Sequence, residues 1–320
     1  MRAKTMQCRK RKIIVWFVFI AIIGVAFFGV GKFISDRTMP PFAAEREALE
    51  TSYGDYLEID GFKLWYELLN EDSNNTPIIV IAGGSGLSSD YMEESLRFLS
   101  DSHPLLFYDA RGCGRSQIKK ELSYYSINKF ADECKAIKDY FFPDRNVIVL
   151  AHSFGGLIAM EYAAKYETSL KGLVLISSVY ADYKPQITFA FLKTGLPPED
   201  QYAANKWYMD HIDIFLGGYF YSAQSKDIFS KTVTSYAVSA HVGGVKNDIS
   251  LRVEGLSVPT LILVGGKKEH PLTTIDTAQK LNHLLPNSEL YQIKKCGHFM
   301  FAEMPVDFQN VVLNWVEGIK

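Results

Sequence analysis

Asn146–Leu150 (NVIVL) runs directly into Ala151-His152-Ser153-Phe154-Gly155-Gly156, and residues 157–166 (LIAMEYAAKY) follow at helical spacing. A short apolar run, a tight turn and a helix predict an elbow that lifts the Ser153 hydroxyl above the end of a strand. Small residues two positions to either side of the serine are needed because strand and helix pass close together there. Ala151 stands where glycine is usual, which adds one methyl group. A serine capping a helix N-terminus would explain Ser153 alone, but it gives no reason for the paired glycines.

Outward from this elbow the same alternation recurs. Apolar runs at Pro77–Ala82, Leu105–Tyr108, Leu173–Ile176, Thr260–Val264 and Leu290–Ile293 are separated by helix-period segments near 90–100, 127–142, 273–285 and 305–318. Strand and helix in alternation predict an α/β fold with a mainly parallel sheet and helices on both faces. At the front, Tyr56–Ile59 and Lys63–Leu68 flank Asp60-Gly61, a hairpin signal. Residues 53–320 therefore read as the folded domain. Residues 179–245 interrupt the alternation with 13 aromatics in 67 residues, among them Tyr202, Trp207, Tyr208, Phe215, Tyr219, Phe220 and Tyr221. So long a stretch between two sheet strands predicts an inserted helical cap.

A nucleophilic serine needs a base. After the last strand the chain reads Lys294-Lys295-Cys296-Gly297-His298-Phe299-Met300, and a histidine on that loop can reach Ser153 and take its proton. His103, His211, His241, His270 and His283 lack this placement, and His152, inside the elbow, reads as structural. A third member should be a carboxylate after the preceding strand, where Gly265-Gly266-Lys267-Lys268-Glu269 offers Glu269 as its only acid. Asp182 and Asp276 remain alternatives. An oxyanion hole needs two backbone N–H groups. Phe154 offers one, and the glycine loop Ala82-Gly83-Gly84-Ser85-Gly86 is the expected source of the other. That loop lacks the endings of a phosphate cradle. No histidine or carboxylate spacing suits a metal, and no cofactor is expected. Cys113, Cys134 and Cys296 show no disulfide or zinc pattern and read as free thiols.

From about residue 56 to 318 the chain resembles the α/β-hydrolase family, in particular the proline iminopeptidase (prolyl aminopeptidase) group. The resemblance rests on Ala82–Gly86 in place of a His-Gly-Gly-Pro-Gly loop and on Tyr108-Asp109-Ala110-Arg111-Gly112-Cys113-Gly114-Arg115-Ser116. The elbow Ala151–Gly156 and Gly297-His298 complete it. It implies Ser153 as nucleophile, His298 as base, Glu269 as the acid, and Gly84 and Phe154 as oxyanion donors. Asp109 and Arg111 would brace their turn. The chain departs from the pattern in its glycine loop, in Ala151 and in glutamate for aspartate, so hydrolysis is implied more firmly than prolyl specificity. In that group, carboxylates of the cap hold the substrate's amine, and Asp210 and Asp213 are the candidates here.

Charge sets the rest. The 320 residues carry a net −2, but residues 1–12 hold six basic residues and no acidic ones. From residue 41 onward 26 basic residues face 35 acidic, which excludes a nucleic-acid binder. Residues 13–31 (IIVWFVFIAIIGVAFFGVG) contain no charge. As a helix they would span roughly 28 Å, the thickness of a bilayer's hydrocarbon core. The preceding basic cluster orients such a segment with its N-terminus cytoplasmic and residues 32–52 as a linker. A cleaved signal peptide, giving a secreted protein, is the alternative. The sequence thus predicts a single-pass, membrane-anchored serine hydrolase with its catalytic domain outside the cytoplasm, acting on a small amide or ester. An aminopeptidase of proline iminopeptidase type, a carboxylesterase or lipase, and a non-catalytic binder on the same scaffold all stay open.

Overall fold

A computed structural model describes residues 45–84, 86–184, 198, 201–221, 227–266 and 273–319, all within one compact unit, Pro41–Lys320. The expected anchor at 13–31 lies outside the described residues. Among the described residues no helix is long and apolar enough to cross a membrane.

The hairpin forms where Asp60-Gly61 marks it. Both residues adopt left-handed φ (50° and 72°), joining β1 (Asp55–Ile59) to β2 (Phe62–Leu69). Six further strands extend the sheet: β3 (Ile78–Ile81), β4 (Leu105–Tyr108), β5 (Val147–His152), β6 (Leu170–Ile176), β9 (Thr260–Gly265) and β10 (Ser288–Ile293). Their order is β1-β2-β4-β3-β5-β6-β9-β10. Only β1 and β2 run antiparallel to their neighbours; the remaining pairs are parallel.

The unbroken apolar runs follow from burial on both faces. Ile79, Ile81, Val149, Ala151, Leu173 and Leu175 point into one core with the helices Ile127–Phe141 and Gly155–Tyr166. Their alternates Ile78, Val80, Ile148, Leu150, Val174 and Ile176 point into the other, against Asp90–Leu96 and Pro305–Gly318. Each of these buried valines, leucines and isoleucines stabilises the fold by about 1.5–3 kcal/mol. Local signals set the helix starts. Ser126 and Thr274 accept hydrogen bonds from the Lys129 and Thr277 N–H groups, and Pro305 sits in the first turn of the last helix.

Between β6 and β9 the chain leaves the sheet. A short antiparallel pair, β7 (Asp182–Tyr183) with β8 (Asn247–Asp248), closes the base of this excursion. Its described helices are Gln201–Asp210, Ile212–Leu216 and Tyr236–Gly243. It is fastened at its far end, too: Ser235 N–H donates to Gly86 O, Val233 N–H to Ser88 Oγ, and Thr232 Oγ1 to Asp90 Oδ1. Asp109 and Arg111 brace their turn as expected. Asp109 is buried against Arg115, at 2.7 Å, and Arg111 pairs with Glu133 at 2.7 Å and with Asp60. Cys113, Cys134 and Cys296 are buried free thiols.

Candidate active site

Ser153 occupies the turn between β5 and the helix Gly155–Tyr166 with φ +53°. A non-glycine residue in this region carries on the order of 1–3 kcal/mol of strain unless its surroundings hold it there. Here Ser153 N–H donates to Ile176 O at 2.8 Å, and its carbonyl accepts from Gly156 and Val179 N–H. The helix starts so close to the sheet that a Cβ on Gly155 would lie 2.5 Å from Ala82 O. The methyl of Ala151 is accommodated in the core.

The glycine loop lies against this turn. A Cβ on Gly83 would come within 2.9 Å of Ser153 Cβ and 2.8 Å of His152 O. Gly83 N–H is taken by the Tyr91 hydroxyl at 2.7 Å. Among the described residues, neither Gly84 N–H nor Phe154 N–H has an acceptor. Phe154 also stands at the positive end of a twelve-residue helix, which favours negative charge nearby. Its ring is fixed edge-on to Tyr183, 5.2 Å between centroids.

His298 reaches the same place from the far end of the chain. It is 4% exposed, and its ring packs 4.5 Å from that of His152, the residue before Ser153. The backbone N–H of His298 donates to Tyr219 O at 2.7 Å, and the Tyr219 ring stands edge-on to the imidazole 5.0 Å away. Glu303 secures the loop, accepting from Gly297 N–H and, through its other oxygen, from Tyr221 N–H, each at 2.6 Å. Among the described residues Ser153 Oγ has no hydrogen-bond partner; catalytic bonds of this type are commonly long without substrate.

Thr273 Oγ1 lies 3.0 Å from His298 Nδ1, a partner that sequence reasoning missed. A threonine just before a helix reads as a cap, and only the neighbouring Thr274 is one. Glu269 lies outside the described residues. Neither alternative acid is bonded to His298 among the described residues: Asp182 is engaged by Lys184 and Lys246, and Asp276 is exposed. Asp210 is paired with Lys206 on an exposed helix face, at 2.6 Å, which is the solvated arrangement; the side chain of Asp213 lies outside the described residues. Burial pushes the Tyr219 hydroxyl above the ordinary tyrosine range, so at neutral pH it can serve only as a neutral group. Among the described residues no cluster suits a metal ion.

Residues 76–196 match the model of the alpha/beta hydrolase fold. A proline iminopeptidase of Thermoplasma volcanium is 28% identical over 288 residues, covering 82% of this chain and 96% of that protein. The chain has the α/β-hydrolase fold and is similar in sequence to proline iminopeptidases. Solved structures agree. An N-acyl homoserine lactone degrading enzyme matches with TM-score 0.62 at 26% identity, over 81% of this hydrolase and 99% of that chain. An esterase from Rhodococcus sp. ECU1013 shares the fold, with TM-score 0.68 at 21% identity over 84% of this chain and 100% of the other.

Proposed function

We propose that the protein is a membrane-anchored serine hydrolase that cleaves a small amide or ester through an acyl-enzyme on Ser153. The observation carrying this reading is the left-handed Ser153 at the end of β5, beside two backbone N–H groups that lack acceptors among the described residues. Ser153 Oγ attacks the substrate carbonyl carbon while His298 Nε2 takes the hydroxyl proton. Gly84 and Phe154 N–H receive the developing oxyanion, where such donors typically contribute about 10²–10³ in turnover each. As the tetrahedral intermediate collapses, the bond to the leaving amine or alcohol breaks and His298 returns the proton to it. Water then attacks the acyl-enzyme by the same route, releasing the acid and restoring Ser153. Glu269 would hold the imidazole and stabilise its charged form.

The relation to proline iminopeptidases favours an N-terminal prolyl residue as substrate. A second reading, an ester with an apolar acyl group, is supported by the side chains around His298. Tyr219 and Phe299 pack on its ring, with Phe220 and Phe229 packed behind Phe299, and Asp210, a candidate for the substrate amine, is paired with Lys206. Turnover of prolyl-, leucyl- and alanyl-arylamides beside short and long acyl esters separates the two. A fluorophosphonate probe should label Ser153; a chain that neither reacts with it nor turns over any panel member is a binding protein. For residues 13–31 as an anchor, protease added to intact cells or spheroplasts should digest the catalytic domain. Protection until lysis would reverse the orientation.

A further inference from the structure

His152 lies between the two halves of the site, and its hydrogen bonds have a direction. Its Nε2 is 3.2 Å from the carbonyl oxygen of His298. A carbonyl only accepts, so Nε2 carries the proton. In the neutral ring Nδ1 is then an acceptor, and Tyr91 Oη at 2.8 Å must donate to it. The same Tyr91 oxygen accepts Gly83 N–H at 2.7 Å. The result is one polarised chain from Gly83 N–H through Tyr91 O–H and the His152 ring to His298 C=O. Both linking side chains are sealed from water, Tyr91 at 3% and His152 at 1% exposure. Phe229 stacks on the Tyr91 ring, while Phe299 and Phe301 pack on both rings.

We propose that Tyr91 and His152 are positioning residues that hold the oxyanion loop and the catalytic-histidine loop in register with each other; this rests on the reading of Ser153 and His298 above. Tyr91 occupies the Gly83 N–H and so leaves the next one, on Gly84, to face the oxyanion. His152 ties that arrangement to the backbone of the residue that carries the proton. Without the bridge each loop keeps its own fold, but the oxyanion donor and the base lose their common reference. A displacement of about 1 Å in such a site can cost on the order of 10²-fold in rate.

The test measures kcat and KM of the full-length protein on the best panel substrate for Tyr91→Phe, His152→Gln, His152→Leu and the double change Tyr91→Phe/His152→Leu. Tyr91→Phe keeps the ring and removes only the hydroxyl. Its kcat should fall by roughly ten- to a hundredfold with KM little changed. The double variant should be no slower than the slower single, because either change breaks the same chain. His152→Gln, which can still donate to His298 C=O, should recover part of what His152→Leu loses. Folded Tyr91→Phe and His152→Gln variants with unaltered kcat would overturn the proposal, even if their melting temperatures fell. Should His152→Leu fail to fold, those two variants still decide the matter. Ser153→Ala is the separate control. If it is inactive while Tyr91→Phe is normal, only the bridge is wrong; if it stays active, the site itself is misassigned.

Discussion

Thr273 Oγ1 sits 3.0 Å from Nδ1 of His298, on the side of the ring that the triad acid is expected to face. A hydroxyl there can accept the Nδ1 proton and so fix the tautomer that leaves Nε2 free for Ser153. Being neutral, it cannot stabilise the imidazolium as a carboxylate does. The two roles can be separated. Thr273→Val should lower kcat only about tenfold, the worth of one neutral hydrogen bond. Glu269→Gln should cost up to about 10⁴. Near-normal turnover by Glu269→Gln, with activity abolished in Asp182→Asn or Asp276→Asn, would move the acid elsewhere.

Ser153 and His298 should behave as one unit. Each single alanine variant should lose on the order of 10⁶ in turnover, and the double should be hardly slower than either. A residual rate of about 10³ over water is expected from the oxyanion donors and binding. Kinetics of the three variants, with circular dichroism as the folding control, check this. Additive losses would mean that the two side chains act independently.

Arg115 makes a stability prediction. Its guanidinium donates to Asp109 and Glu93, both at 2.7 Å, and to Tyr53 Oη at 3.0 Å, and all of the charged members are buried. Arg115→Ala strands two carboxylates without their partner. Removing one side of such a buried arrangement typically costs about 3–5 kcal/mol. Denaturant unfolding should show a loss of that size, and a loss below about 1 kcal/mol, the range of exposed pairs, would show that the network is solvated.

Asp90 predicts a pH effect. Burial raises its pKa, against the lowering influence of the Ser88 and Thr232 hydroxyls that bond it. The folded chain therefore holds the Asp90 proton more readily than the unfolded chain does. Between the ordinary value of 3.8 and the raised native one, the native state binds more protons, so this contribution to stability is lost as pH rises. Asp90→Asn cannot titrate. Thermal unfolding of both proteins from mildly acidic to neutral pH should show the variant gaining relative to the parent as pH rises. A constant difference across that window would refute the assignment.

Much of this protein was legible in order along the chain. Each strand expected from its apolar run forms within a few residues of its expected place, since sequence-local periodicity decides which backbone can bury both faces. The elbow was legible for the same reason: Ser153, its glycines and the flanking strand and helix lie within about twenty consecutive residues. The fastening of the site was not. Thr273 gives no sign of its contact with His298 25 residues later, and His152 none of its contacts with Tyr91, 61 residues earlier, or His298, 146 later.

What the sequence by itself determined is the set of parts: eight sheet strands, a strained serine turn, a glycine loop and a late histidine. Their short-range geometry follows from backbone sterics and hydrophobic spacing. Only the tertiary structure decided how the parts meet. The order β4-β3-β5-β6-β9-β10 brings the loops after β3, β5 and β10 to one edge of the sheet, and no local pattern encodes that order. It also turned His152 from a residue that fills space into the link between Tyr91 and His298. A hydrogen-bonding direction exists only once donor and acceptor are packed together, and here the packing joins residues that the chain keeps far apart.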